Sequence, residues 1–176
     1  SLNTISYFDS INFSSGINDC RNNLLDDASF ENYSQINPST SWVGGSVYTK
    51  EHNKIYGEYE RRLGKGGTLY QVVDITPVDK INFTFGGFIN TYRGEAKIRV
   101  RFYSTTSDSY SDYYIIDFNS YILKYQYLLD TVELESETIY DQVIFEVVNT
   151  GNTTISVDNL LLQLDGAATK YTYNEK

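Results

Sequence analysis

Apolar and polar positions alternate through much of this chain, in short runs parted by turn-forming residues. Residues 96–103 alternate strictly, with Ile98, Val100 and Phe102 on one side and Lys97, Arg99, Arg101 and Tyr103 on the other. A period of two marks a strand with one buried face. Residues 81–88 follow the same rule through Ile81, Phe83 and Phe85, and Val143, Phe145 and Val147 mark another strand. Residues 155–164 close the series after the turn Asn149-Thr150-Gly151-Asn152. Gly64-Lys65-Gly66-Gly67 parts residues 56–63 from 69–75, which predicts a hairpin. Many short strands with turns between them predict an all-β domain, a sandwich or a barrel.

One stretch resists that reading. Tyr121, Ile122, Tyr125, Leu128, Leu129 and Val132 fall at helical spacing, with Ser120 placed to cap. Tyr125, Tyr127, Leu129 and Thr131 also alternate, so periodicity leaves helix and strand both open. Three divisions are expected along the chain. Residues 1–21 are a polar arm or edge strand carrying Ile5, Tyr7 and Ile11, residues 22–165 are the globular module, and residues 166–176 are an exit segment. At 176 residues the chain can bury a core without covalent staples.

Composition narrows the function. There are 17 Tyr and 9 Phe, an aromatic load that suits strands. Asp and Glu number 23 against 14 Lys and Arg, a net charge of −9 that argues against nucleic acid and anionic membrane surfaces. No apolar run approaches the ~18 residues that span a bilayer. Ser1-Leu2-Asn3-Thr4 has no basic or apolar signal segment, and the missing Met points to processing or a fragment boundary. Cys20 and His52 are single, so neither a disulfide framework nor a Cys/His zinc site can be built. No spacing among the acidic residues selects a catalytic pair, and Gly64–Gly67 lacks the Lys-Ser/Thr ending of a phosphate loop. The expectation is a non-catalytic binding protein rather than an enzyme.

Three motifs in fixed order carry a resemblance. Asn23-Leu24-Leu25-Asp26-Asp27-Ala28-Ser29-Phe30-Glu31, followed by Trp42, opens the module. Gln71-Val72-Val73-Asp74-Ile75-Thr76-Pro77 with Ile81-Asn82-Phe83-Thr84-Phe85 forms its middle, and Asn149-Thr150-Gly151 with Ile155-Ser156-Val157-Asp158-Asn159-Leu160 its end. The pattern resembles jelly-roll carbohydrate-binding modules of the family 4/9 and 22 type, and related domains of bacterial spore-surface and appendage proteins. The resemblance implies a two-sheet antiparallel β-sandwich, a jelly roll, and tips residues 125–133 toward strand. It implies a polysaccharide or glycan as partner on an extracellular, cell-surface or spore-surface protein. The alternative it leaves open is a structural or adhesive subunit that contacts other protein chains.

The resemblance also implies a structural calcium joining the first strand motif to the last. The matching positions are Ser29, Glu31, Glu51, Lys54 and Asp158, oxygen donors of the kind that ion takes. The chain departs from the family at Asp27-Ala28, where the usual pair is Asn-Gly.

For the ligand, the Lys97, Arg99, Arg101 and Tyr103 side of one strand is the most informative polar feature. Arg forks suit hydroxyls and carboxylates, and Glu146, Asp117 and Tyr113 could complete the face. Cross-strand ion pairing on a solvated face is the plainer alternative. Seven of the 17 tyrosines fall between Tyr103 and Tyr127. Of these, Tyr110, Tyr113 and Tyr114 sit in a Ser/Asp-rich stretch expected to be a loop. Trp42 is expected in the core.

Overall fold

The computed structural model describes residues 2–8, 23–31, 41–49 and 57–165, and every regular element among them is a strand. In chain order these are β1 (Leu2–Phe8), β2 (Ser46–Thr49), β3 (Tyr59–Leu63), β4 (Thr68–Asn90), β5 (Glu95–Ser104), β6 (Ser109–Tyr110), β7 (Tyr114–Asn119), β8 (Tyr125–Asn149) and β9 (Ile155–Asp165). All pairings are antiparallel.

Two long strands make two layers out of one hydrogen-bonded network. Residues 68–74 of β4 lie against 142–148 of β8, and residues 80–89 against 126–135. Between these halves the register shifts at Asp74/Val78 and Val78/Lys80, around Pro77, which has no amide to donate to a ladder. The first layer runs β2-β3-β9-β4-β8, with β1 on the far edge of β8. The second layer runs β4-β8-β5, with β6 and β7 on the outer edge of β5. Their inner faces meet at aromatic contacts. Phe83 of the first layer sits edge-on, 5.1 Å from Phe102 and 5.0 Å from Tyr114 of the second. The architecture is a two-sheet antiparallel β-sandwich, the jelly roll expected.

Alternation sorts the core as predicted. Ile98, Val100, Phe102, Phe83, Phe85, Val143, Phe145 and Val147 are all buried, and each large side chain contributes about 1.5–3 kcal/mol by leaving water. Trp42 is in the core as well. Its ring meets Phe30 at 5.6 Å and Phe145 at 6.0 Å, and its indole N–H donates to the Asp27 carbonyl at 3.0 Å.

The entry segment docks on the closing strand. Leu24 N–H donates to the Leu162 carbonyl at 2.8 Å, Leu160 N–H to the Ala28 carbonyl at 3.1 Å, and the Asn23 amide to the Leu160 carbonyl at 3.0 Å. Asp27, at the position where the family carries Asn, adopts a left-handed backbone with φ 48, a conformation that short polar residues tolerate. Within β9, Asn159 takes φ 45 where the pairing with β4 shifts register between Gly86 and Phe88. That bulge turns Leu160, Leu162 and Leu164 inward after Val157. Gly86 packs so tightly there that a Cβ would meet the Leu128 carbonyl oxygen at 2.0 Å.

Two expectations change, and one open choice closes as the resemblance implied. Residues 64–67 do turn, with Gly67 N–H donating to the Gly64 carbonyl at 2.9 Å, but the flanking strands form no hairpin. β3 pairs with β9 and β4 with β8, so the turn crosses from one layer to the other. The Asn149 side chain holds it there, donating to the carbonyls of Leu63 and Gly64 at 3.0 Å each. The ambiguous stretch is strand from Tyr125 onward, with a bend at residues 121–124. Of the three tyrosines expected in a loop, Tyr113 lies in one, whereas Tyr110 ends the short β6 and Tyr114 begins β7 and packs on the core.

Candidate functional site

The outward side chains of the second layer form a grid fixed by register. Across the sheet, Tyr70, Glu146, Arg99 and Ile115 make one row, and Val72, Ile144 and Arg101 the next. Asp74, Gln142, Tyr103 and Tyr110 make a third, and Thr68, Val148, Lys97 and Asp117 a fourth. From Lys97 to Tyr103 the grid is about 20 Å long at strand rise.

Rings and guanidinium groups stack along it. Tyr103 and Tyr110 lie 4.6 Å apart. The Arg101 guanidinium carbon is 3.8 Å from the Tyr110 ring centre and 4.6 Å from that of Tyr113. Arg99 lies 4.5 Å over the other member of this series, Tyr113. At one end Arg99 donates to Glu146 at 2.5 Å. At the other the Tyr103 hydroxyl donates to Asp108, a bond that pushes the phenol up to about 12. The rings stay accessible: Tyr110 is 51% exposed and Tyr113 37%, beside Val72 at 48% and Ile115 at 45%.

All five predicted ligand residues, Arg99, Arg101, Tyr103, Tyr113 and Glu146, therefore share this one face. Both readings of the cations find support in it, since Arg99 pairs with Glu146 and Lys97 lies 3.8 Å from Asp117. Sequence reasoning left out Tyr70, Val72 and Ile115, whose places follow only from register with strands far along the chain. Their alternation within strands was the available signal.

The second layer also ends in clefts. One of about 320 Å³ lies between Arg93, Glu95, Asn119, Tyr121 and Asn152, and Tyr121 stands 94% exposed at its rim. Another of about 450 Å³ lies at the opposite end, among Pro77, Ser104, Thr138, Ile139 and Asp141. Asp141 anchors the turn there by accepting from the Thr105 amide at 2.8 Å and from its hydroxyl, contacts that hold its carboxyl below the usual value.

Of the calcium positions, Glu51 and Lys54 lie outside the described residues. Ser29 and Asp158 are fully buried where the entry segment meets β9. Glu31 accepts from the Glu58 amide at 2.9 Å and the Tyr59 amide at 3.0 Å. Asp158 accepts from the Asn159 amide at 2.9 Å. Among the described residues no three Asp, Glu, His or Cys groups gather as a metal site. The donors present are all oxygens, which fits a hard cation.

No protein-family model matches the sequence, and no curated protein matches it. Solved structures do. A family 16 carbohydrate-binding module superposes with a TM-score of 0.54 over 80% of this chain and 99% of that one, at 14% identity. The fold is that of the jelly-roll carbohydrate-binding modules. The CBM22-1 and GH10 modules of the Clostridium thermocellum endo-1,4-β-D-xylanase 10B, complexed with xylohexaose, match with a TM-score of 0.54, at 8% identity over 84% of this chain and 28% of that one. The enzymatically active domain of a bacteriophage CBA120 tailspike protein matches with a TM-score of 0.58, at 14% identity over 81% of this chain. The chain spans 21% of that active domain, so the likeness is to one part of a larger chain.

Proposed function

We propose that the protein is a non-catalytic carbohydrate-binding module of a secreted or surface protein, with its ligand along the outer face of the second layer. The observation that carries this is the series Tyr110, Arg101, Tyr113 and Arg99, exposed rings interleaved with half-buried guanidinium groups at the edge of the sheet. Tyrosine rings offer flat apolar area to the C–H faces of sugars at little entropic cost. Guanidinium forks offer donors to hydroxyl groups. The arginines project from β5, Tyr110 ends β6 and Tyr113 lies in the short connection just before β7, so the spacing is largely set before the ligand arrives. A glycan array followed by titration calorimetry tests the reading. Binding weakened roughly tenfold in Tyr113→Ala, with the fold retained, is the expected outcome, and binding unchanged in that variant would move the site to the end clefts.

A structural or adhesive role has one observation in its favour. Tyr121, Ile122 and Leu123 are exposed together at 94%, 43% and 49%, an apolar tip suited to a protein surface. Light scattering would reveal it as concentration-dependent assembly. A structural calcium at Ser29, Glu31, Glu51, Lys54 and Asp158 remains part of the proposal, as a clamp between the entry segment and β9.

A further inference from the structure

The two arginines of the stacked series are not equivalent. Arg99 is neutralised by Glu146 at 2.5 Å. Arg101 has only rings against it, Tyr110 at 3.8 Å and Tyr113 at 4.6 Å. Its cross-strand neighbours on the outer face are apolar, Ile144 and beyond it Val72, and among the described residues no carboxylate lies at ion-pair distance from it. Its buried Nε has no hydrogen-bond partner. In a chain of net charge −9 acidic side chains are plentiful, yet among the described residues none pairs with this guanidinium.

A partly buried cation with unspent donors favours an anion over a neutral hydroxyl. A carboxylate adds direct charge attraction to the hydrogen bond a hydroxyl could make, and its two oxygens match the planar guanidinium fork in a bidentate pair. The flanking rings keep the fork in one orientation and exclude water from one side, which strengthens the attraction. We infer that the outer face of the second layer selects an acidic glycan, a uronic acid residue whose carboxylate seats on Arg101 while its ring lies against Tyr110 or Tyr113. This deepens the proposed carbohydrate-binding function and rests on it. The negative charge of the whole protein repels a polyanion at long range, so short oligosaccharides are the appropriate probes.

The test is a panel of acidic oligosaccharides, built on galacturonate, guluronate, mannuronate and glucuronate-branched xylose, each paired with its own methyl ester. Esterification keeps the rings and linkages and removes only the charge. At least one acid should bind roughly tenfold or more tightly than its ester. Arg101→Gln should erase that preference, and Arg101→Lys should restore little of it, because an ammonium lacks the planar fork. Glu146→Gln gives a second, independent readout. It frees Arg99 and should widen the affinity gap between acid and ester severalfold. Equal binding of acids and esters, or binding of neutral glycans alone, overturns the acidic selectivity and leaves the binding function standing. No binding to any glycan, with capture of acidic peptides instead, overturns both.

Discussion

The two outer faces of the sandwich use the same residue types to opposite ends. On the first layer Phe88, Tyr125 and Leu161 form a second buried cluster away from the main core, with Tyr127 and Leu129 packed against it. Phe88 stacks on Tyr127 at 4.2 Å, and the Tyr125 hydroxyl donates to Glu60 at 3.3 Å. Burial drives the Tyr125 phenol well above its usual value. On the second layer the tyrosines stand in solvent beside cations. A ring can serve a ligand only where part of it stays in solvent, and Tyr110 and Tyr113, though each carries an arginine, remain exposed. Tyr125 is spent on packing, whereas Tyr110 and Tyr113 remain available.

Removing a ring from each face would break the comparison most sharply. Phe88→Ala should cost about 3–5 kcal/mol, lowering the melting temperature by roughly 2–4 °C per kcal/mol in a domain of this size. Glycan affinity of the protein that remains folded should not change. Next in size is the effect of calcium at the seam of the first layer. A ligand that binds only the folded state stabilises it by about 2.7 kcal/mol at a hundredfold excess over its dissociation constant. The melting temperature should fall with chelator, recover with calcium and fail to recover with magnesium; a curve indifferent to chelator removes calcium from the account.

Tyr113→Ala on the second layer should leave stability within about 1 kcal/mol of the parent. It should weaken glycan binding roughly tenfold, equivalent to about 1.4 kcal/mol. A large stability loss would instead make this face structural, like the first. The smallest effect concerns Tyr103. Its pKa rises from 10.0 to about 12 on folding, chiefly through the bond to Asp108. The stability linked to that shift is fully present below pH 10 and is lost as the pH climbs from 10 to 12. In Asp108→Asn, spectrophotometric titration should show one tyrosine moving back toward 10, with the melting temperature near neutral pH little altered.

Much of this molecule was legible in the linear pattern because a strand's facing depends only on parity. Ile98, Val100 and Phe102 had to share one side and Arg99, Arg101 and Tyr103 the other, whatever lay beside them. The all-β class, the core residues of β4, β5, β8 and β9 and the burial of Trp42 followed from that local rule and from the spaced motifs. What parity cannot supply is the partner. Two alternating runs around Gly64–Gly67 look like any hairpin, yet Asn149, far along the chain, holds that turn at a crossing between layers. Residues 125–132 carried helical and strand periods at once, and pairing with β4 and β1 selected the strand. Glu146 came to Arg99, and none of the described carboxylates to Arg101, because the register of β5 with β8 and β7 placed them so. Register is a sum over contacts between distant segments, and only the folded chain adds them up.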